Sequence, residues 1–212
     1  MAGEEDQKII ETLVPPELHL MTGVVGKLIN ELEDALNEDG EGTKFMNHFH
    51  QREDVRKCVY QGSNSYEGNQ AKKLLEKADI LERDIKKTFN FQSITKALPF
   101  IEALRKFRDV VYSCFGLTLD PKYKEVIQKF SDQYRKLHIS VTPKVHIVET
   151  HVIEYIQLRN ESAGLGHWSE QAMESTHHDF KEEWSKVKVS LNNKEFYQKL
   201  LQTVIRYNGK HI

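Results

Sequence analysis

Thr142-Pro143-Lys144-Val145-His146-Ile147-Val148-Glu149-Thr150-His151-Val152-Ile153-Glu154-Tyr155-Ile156 is the stretch on which the fold class turns. A hydroxyl residue followed by proline predicts an N-cap and a first helical position, where the missing proline N–H costs nothing. Val145, Val148, Val152 and Ile156 then follow at spacings of three and four, which is one stripe of a helix and not the alternation of a strand.

The same grammar extends outward in both directions. Upstream, Asp120-Pro121 predicts another capped start, with Tyr123, Val126, Ile127, Phe130, Tyr134 and Leu137 as its stripe. Thr95 to Phe115 repeats the spacing through Ala97, Ile101, Leu104, Phe107, Val111 and Cys114, and Gly116 follows as a cap. Ala71 to Ile85 reads as one helix. After Pro15-Pro16, Met21, Val25, Leu28, Leu32 and Leu36 mark the first helix, with Gly40 as its stop. Between Gly40 and Tyr66 the pattern breaks up and loop is expected. Downstream of Gly164 and Gly166, Ser169 opens a helix bearing Met173, Phe180 and Trp184, and Asn193 caps the last, with Phe196, Leu200, Val204 and Tyr207. The expectation is an all-α protein of about seven helices. It divides into an acidic segment 1–14, a helical domain 15–140 and a C-terminal part 141–212.

Composition fits that reading. The 212 residues carry 30 basic and 32 acidic side chains, 39% hydrophobic residues and two cysteines, which suits a globular chain and excludes a disordered or disulfide-stapled one. The longest apolar runs span a few residues, far short of the roughly 20 that cross a bilayer. The acidic start has no apolar signal region behind it, so an intracellular protein without a membrane role is expected. Charge is uneven: residues 1–54 hold 13 acids against 4 bases, whereas residues 181–212 hold 7 bases against 3 acids. DNA contact, if present, belongs to the C-terminal third, around Lys181, Lys186 and Lys188. A solvated helix face explains such a run equally well. There is no phosphate loop, no nucleophile elbow and no strand alternating with helix, which disfavours nucleotide-binding α/β folds and α/β-hydrolases.

Ten histidines supply the remaining chemistry, notably His48 with His50, His146 with His151, and His177 with His178. Five residues turn about 140° on a regular helix, so the pair His146 and His151 faces one metal only if His146 lies on an irregular first turn. Two partly exposed histidines on a capped helix is the plainer reading. Glu170, Glu174, His177 and Lys181 form a polar row that either holds a hard cation at a core edge or is a solvated face of Glu–Lys pairs. Glu174 with His177 also matches the Glu-x-x-His of di-iron bundles, but no second copy exists. Cys114 lies on an apolar stripe and is expected to be a buried small hydrophobe.

The stretch from Pro143 to Glu154, followed by Gly164-Leu165-Gly166-His167-Trp168-Ser169-Glu170-Gln171-Ala172-Met173-Glu174-Ser175, resembles the C-terminal part of eukaryotic DDE-type cut-and-paste transposases, most closely the group of Transib-like enzymes and the V(D)J recombinase catalytic subunit. Glu17-Leu18-His19-Leu20 resembles the segment that opens that family's helical insertion domain. The resemblance implies that His146 and His151 are half of a zinc site and that Glu174 is the last catalytic acid, a ligand of Mg²⁺ or Mn²⁺. In that family two catalytic Asp on an RNase-H-like sheet and a Cys-x-x-Cys lie upstream of the matched region. Two-metal phosphoryl transfer needs carboxylates from several elements, so the chain is expected to be catalytically incomplete alone, with no metal held tightly. Implied partners are DNA, bound weakly through its backbone, and a further copy or a parent transposase, in a nuclear setting. The alternative is a domesticated, non-enzymatic helical module that contacts DNA or protein.

Overall fold

The computed structural model describes residues 17–37, 40–60, 63–168, 180–187, 189–190 and 192–211. It is mostly helical. In chain order the elements are α1 (Glu17–Leu36), α2 (Glu41–Arg52), a small hairpin of β1 (Cys58–Tyr60) and β2 (Ser63–Ser65), α3 (Gly68–Glu76), α4 (Ala78–Thr88), α5 (Phe91–Val110), which runs on into a π turn (Val111–Phe115), and α6 (Tyr123–Arg135). A continuous helix over 143–158 follows, then a short 3₁₀ turn (Leu165–Trp168), helical residues 180–185 and α7 (Phe196–His211). The chain divides into two compact units, Met1–Ser169 and Glu170–Ile212. The 143–158 helix therefore belongs with the helices before it, on the N-terminal side of a division that the sequence reading puts at 140.

In the first unit most of the expected stripe residues are in the core, whereas Met21, Val111, Val126 and Leu137 are only partly buried, and Val24 and Ile29 join the core from outside the stripe read for α1. Val24, Val25, Leu28, Ile29 and Leu32 of α1 are fully buried, as are Ala97, Ile101, Leu104 and Phe107 of α5 and Ile127, Phe130 and Tyr134 of α6. Each large side chain so buried contributes about 1.5–3 kcal/mol of hydrophobic stabilisation. α5 packs against both α1 and α6 and forms the centre of the bundle. Its first turn is capped by Asn90, whose side chain accepts from the Ser93 N–H at 3.0 Å.

Several expectations need correction. Residues 41–52 are a helix and not a loop: Met46 and Phe49 are buried with Phe45 packed beside them, a stripe too short to stand out between glycines and charges. Gly40 does not close α1 directly. It sits four residues beyond Leu36 with φ +75°, a conformation that glycine adopts without steric cost, and opens α2. The helix read over Ala71–Ile85 is two helices broken at Lys77, and the break lets each bury its own stripe, Leu74 with Leu75 and Leu81 with Ile85. Asp120 is not an N-cap either. Its side chain accepts from the Lys122 N–H at 2.7 Å in a turn, and α6 begins two residues after Pro121.

Cys114 is buried as expected, and burial pushes its thiol up to about 12. In the second unit, Trp184 packs edge to face on Phe196 with ring centroids 5.6 Å apart. The Asn193 side chain accepts from the Glu195 N–H at 2.8 Å just before α7.

Candidate metal and nucleic-acid site

Thr142 and Pro143 open the 143–158 helix as their sequence requires, the threonine hydroxyl accepting from the Val145 N–H at 3.3 Å. Val145, Val148, Val152 and Ile156 are then fully buried. One feature of this helix is not readable from that stripe. Between Pro143–His146 and Val152–Leu158, residues Ile147–His151 form a π turn.

The π turn changes what five residues of separation means. Its hydrogen bonds run from i to i+5, so residues five apart stack one turn above the other. His146 and His151 consequently share a face, with ring centroids 5.2 Å apart and planes at 89°. The irregularity that a shared metal requires is present, in the middle of the helix and not in its first turn. His146 is exposed and His151 half-buried. His151 Nδ1 is 2.8 Å from Glu154 Oε2, the kind of carboxylate partner that fixes ring orientation and leaves Nε2 for a ligand.

The opposite side of the turn is tied to α6. The Glu149 side chain is 6% exposed and accepts from Ser131 Oγ at 2.8 Å and from Arg135 Nη2 at 2.6 Å. The guanidinium in turn is raised by this carboxylate. These are the residues that a motif-based reading misses, since Ser131, Arg135 and Glu149 form no pattern within one helix.

The helix also anchors the stretch of chain that leads to the Trp-Ser-Glu segment. After Leu158 the backbone turns through Asn160 and Glu161, both in the left-handed region at φ 57° and 52°. The Glu161 carboxylate accepts from the Tyr123 hydroxyl at 3.2 Å and pairs with Lys124 at 2.5 Å, so contacts with α6 hold this strained turn. Gly164 and Gly166 then donate their N–H groups to the Leu117 and Gly116 carbonyls. A Cβ on Gly164 would lie 2.3 Å from the Gly116 oxygen, so the close approach of two backbones requires glycine there. Trp168 packs edge to face on Tyr155, and Arg159 stacks over both rings at 4.7 and 5.8 Å. Trp168 is thereby fixed to the histidine-bearing helix at the point where the Trp-Ser-Glu segment begins.

Glu170, Glu174, His177, His178 and Lys188 lie outside the described residues. Lys181 is exposed on helical residues 180–185. Lys186 pairs with Glu183 at 2.7 Å and lies 3.9 Å from Glu182, which raises its ammonium. Such an exposed pair contributes little and opens readily to a phosphate.

His48 and His50 have separate fates. His48 is exposed, while His50 is buried with Nδ1 against the Met46 carbonyl and Nε2 2.9 Å from the Tyr66 hydroxyl. Burial, reinforced by Lys57, lowers His50 to about 4. Among the described residues no group of three or more His, Cys, Asp or Glu is gathered for a metal, and no helix is long and apolar enough to cross a membrane. Compared with family models, with curated proteins and with solved structures, the chain matches none.

Proposed function

We propose that this chain is the helical insertion domain and last-acid segment of a DDE-type DNA transposase, or a nuclear protein derived from one, and that it is catalytically incomplete alone. The observation that supports this reading best is the π turn that brings His146 and His151 onto one face. A His-x4-His pair is of no use to one metal on a regular helix, and π turns recur at functional sites. His151 with its Glu154 partner suits zinc, and two histidines are half of the four ligands a closed zinc site takes. Glu174 would serve as one carboxylate of an Mg²⁺ or Mn²⁺ centre, and the RNase-H-like sheet with its two Asp would come from polypeptide other than these 212 residues. DNA backbone contact would fall to Lys181, Lys186 and Lys188.

The test is the genomic sequence upstream of the first codon. An in-frame segment carrying two Asp and a Cys-x-x-Cys supports the enzymatic version, and its absence removes it. At the bench, the purified chain is expected to show no Mg²⁺- or Mn²⁺-dependent nicking of DNA, because one carboxylate cannot clamp two ions. Robust nicking that disappears in Glu174→Gln would overturn the claim that it is incomplete.

One observation favours the second reading, a non-enzymatic interaction module. Tyr197, Leu201 and Ile205 follow one another at four-residue spacing on α7 and are 78%, 60% and 62% exposed. An apolar row of this kind suits a protein contact better than a phosphate backbone.

A further inference from the structure

A different part of the first unit carries a cleft that the histidine pair does not use. Lys44, His48 and Arg52 recur at four-residue spacing along one face of α2, opposite Lys87 of α4, and between them lies an open cleft of about 820 Å³. Phe45 and Phe89 also line it, packed edge to face with ring centroids 5.1 Å apart and both only partly buried. That volume lies within the usual range of small-molecule sites.

The charges of the cleft are not equivalent. Arg52 is committed to Asp84 and Glu53. Lys44 pairs with Glu41 on the open surface, where water screens the interaction and a stronger anion displaces it. Among the described residues, Lys87 and His48 have no hydrogen-bond or ion-pair partner within reach. The cleft thus offers an ammonium, an imidazole N–H and a second, loosely held ammonium beside two aromatic rings. Cations next to partly buried aromatic rings that line a cleft form the pattern by which proteins hold nucleotides with little preference for the base, stacking the ring and neutralising the phosphate.

We propose that this cleft binds a nucleotide unit, with its base against Phe45 and Phe89 and its phosphate on Lys87, His48 and Lys44. The inference goes beyond the transposase reading and does not depend on it. A free mononucleotide and one unit of a single strand present the same chemistry, and the experiment separates them.

The test uses the full chain and a fluorescein-labelled dT12 single strand in an anisotropy titration, with dTMP, inorganic phosphate and a duplex of equal length as competitors. The expected result is binding of dT12 or dTMP that weakens about tenfold or more in Lys44→Ala/His48→Ala/Lys87→Ala and in Phe89→Leu. A Lys129→Ala/Lys136→Ala control should bind within about twofold of the parent, the small change that screened distant charges allow. Competition by dTMP assigns the site to a free nucleotide, and dT12 binding that dTMP does not displace assigns it to a strand; either supports the proposal. Should Phe89→Leu fail a thermal-melting check, the triple variant, whose substitutions are all at exposed positions, carries the test with the dTMP and phosphate competitions. The proposal is overturned if neither probe binds, if the triple variant binds as the parent does, if inorganic phosphate competes as well as dTMP, or if duplex binds as tightly as dT12.

Discussion

Two histidine-bearing helices in the same unit put the same residue to opposite uses. On α2, His50 is buried, both ring nitrogens are engaged, and the ring stacks on Tyr66 at 5.6 Å. On the 143–158 helix, His146 and His151 meet ring to ring at the surface, and only His151 Nδ1 has a carboxylate partner. A histidine enclosed with both nitrogens bonded is a structural element whose charging costs stability. Two histidines that share a face with nitrogens to spare would, on the proposed function, be a place for a ligand. The difference arises in the backbone: α2 is a regular helix, and the other helix carries a π turn.

The largest expected effect is that of acid on α2. Because the folded-state value of His50 is depressed to about 4 from 6.5, its contribution is full above pH 6.5, is lost as pH falls through that window, and changes no further below about 4. A shift of this size corresponds to about 3 kcal/mol. Denaturant titrations at a series of pH values should show that loss in the parent and a clearly smaller one in His50→Gln. Equal profiles for parent and His50→Gln would break the distinction.

A second expected effect concerns the segment that follows the histidine-bearing helix. Gly164→Ala would force a Cβ to within 2.3 Å of the Gly116 oxygen and 2.7 Å of the Thr118 oxygen. Overpacking against backbone of this kind costs about 1–3 kcal/mol. Thermal melting should register it, and Gly116→Ala, with open space around its Cβ position, should cost less.

Much of this was legible in the sequence, for reasons that differ by residue. Val145, Val148, Val152 and Ile156 announce their burial because helix period and apolar spacing are one signal. Thr142 announces its cap because a side-chain oxygen next to a helix start has few other uses, whereas Asn193, like Asp120, accepts from the N–H two residues on in a turn that ends just before its helix. The helix 41–52 was hidden because three apolar side chains carry its whole stripe, and the break at Lys77 because no glycine or proline marks it. The π turn could not be read at all: nothing in Ile147-Val148-Glu149-Thr150-His151 distinguishes it from a regular helix. The contacts that Glu149 of this turn makes with Ser131 and Arg135 join separate helices and form no pattern within one. The charge of the cleft beside Phe45 and Phe89 was equally hidden, since α2 and α4 supply it together.

The smallest expected effect lies in the second unit. If residues 181–188 touch a DNA backbone, duplex affinity should fall with salt at a slope near 0.9 per phosphate neutralised, and Lys181→Ala/Lys186→Ala/Lys188→Ala should flatten that slope. An unchanged slope reduces the run to a solvated helix face, as the Lys186 pairs with Glu182 and Glu183 already suggest for one member.

The central claim, that a π turn makes His146 and His151 two ligands of one metal, is tested most directly by nitrogen-detected NMR of the histidine rings during a zinc titration. The expected result is that both rings respond together to a single zinc ion that a mild chelator removes, and that His146→Ala abolishes the response at His151. Independent responses of the two rings, or no response at either, would contradict it.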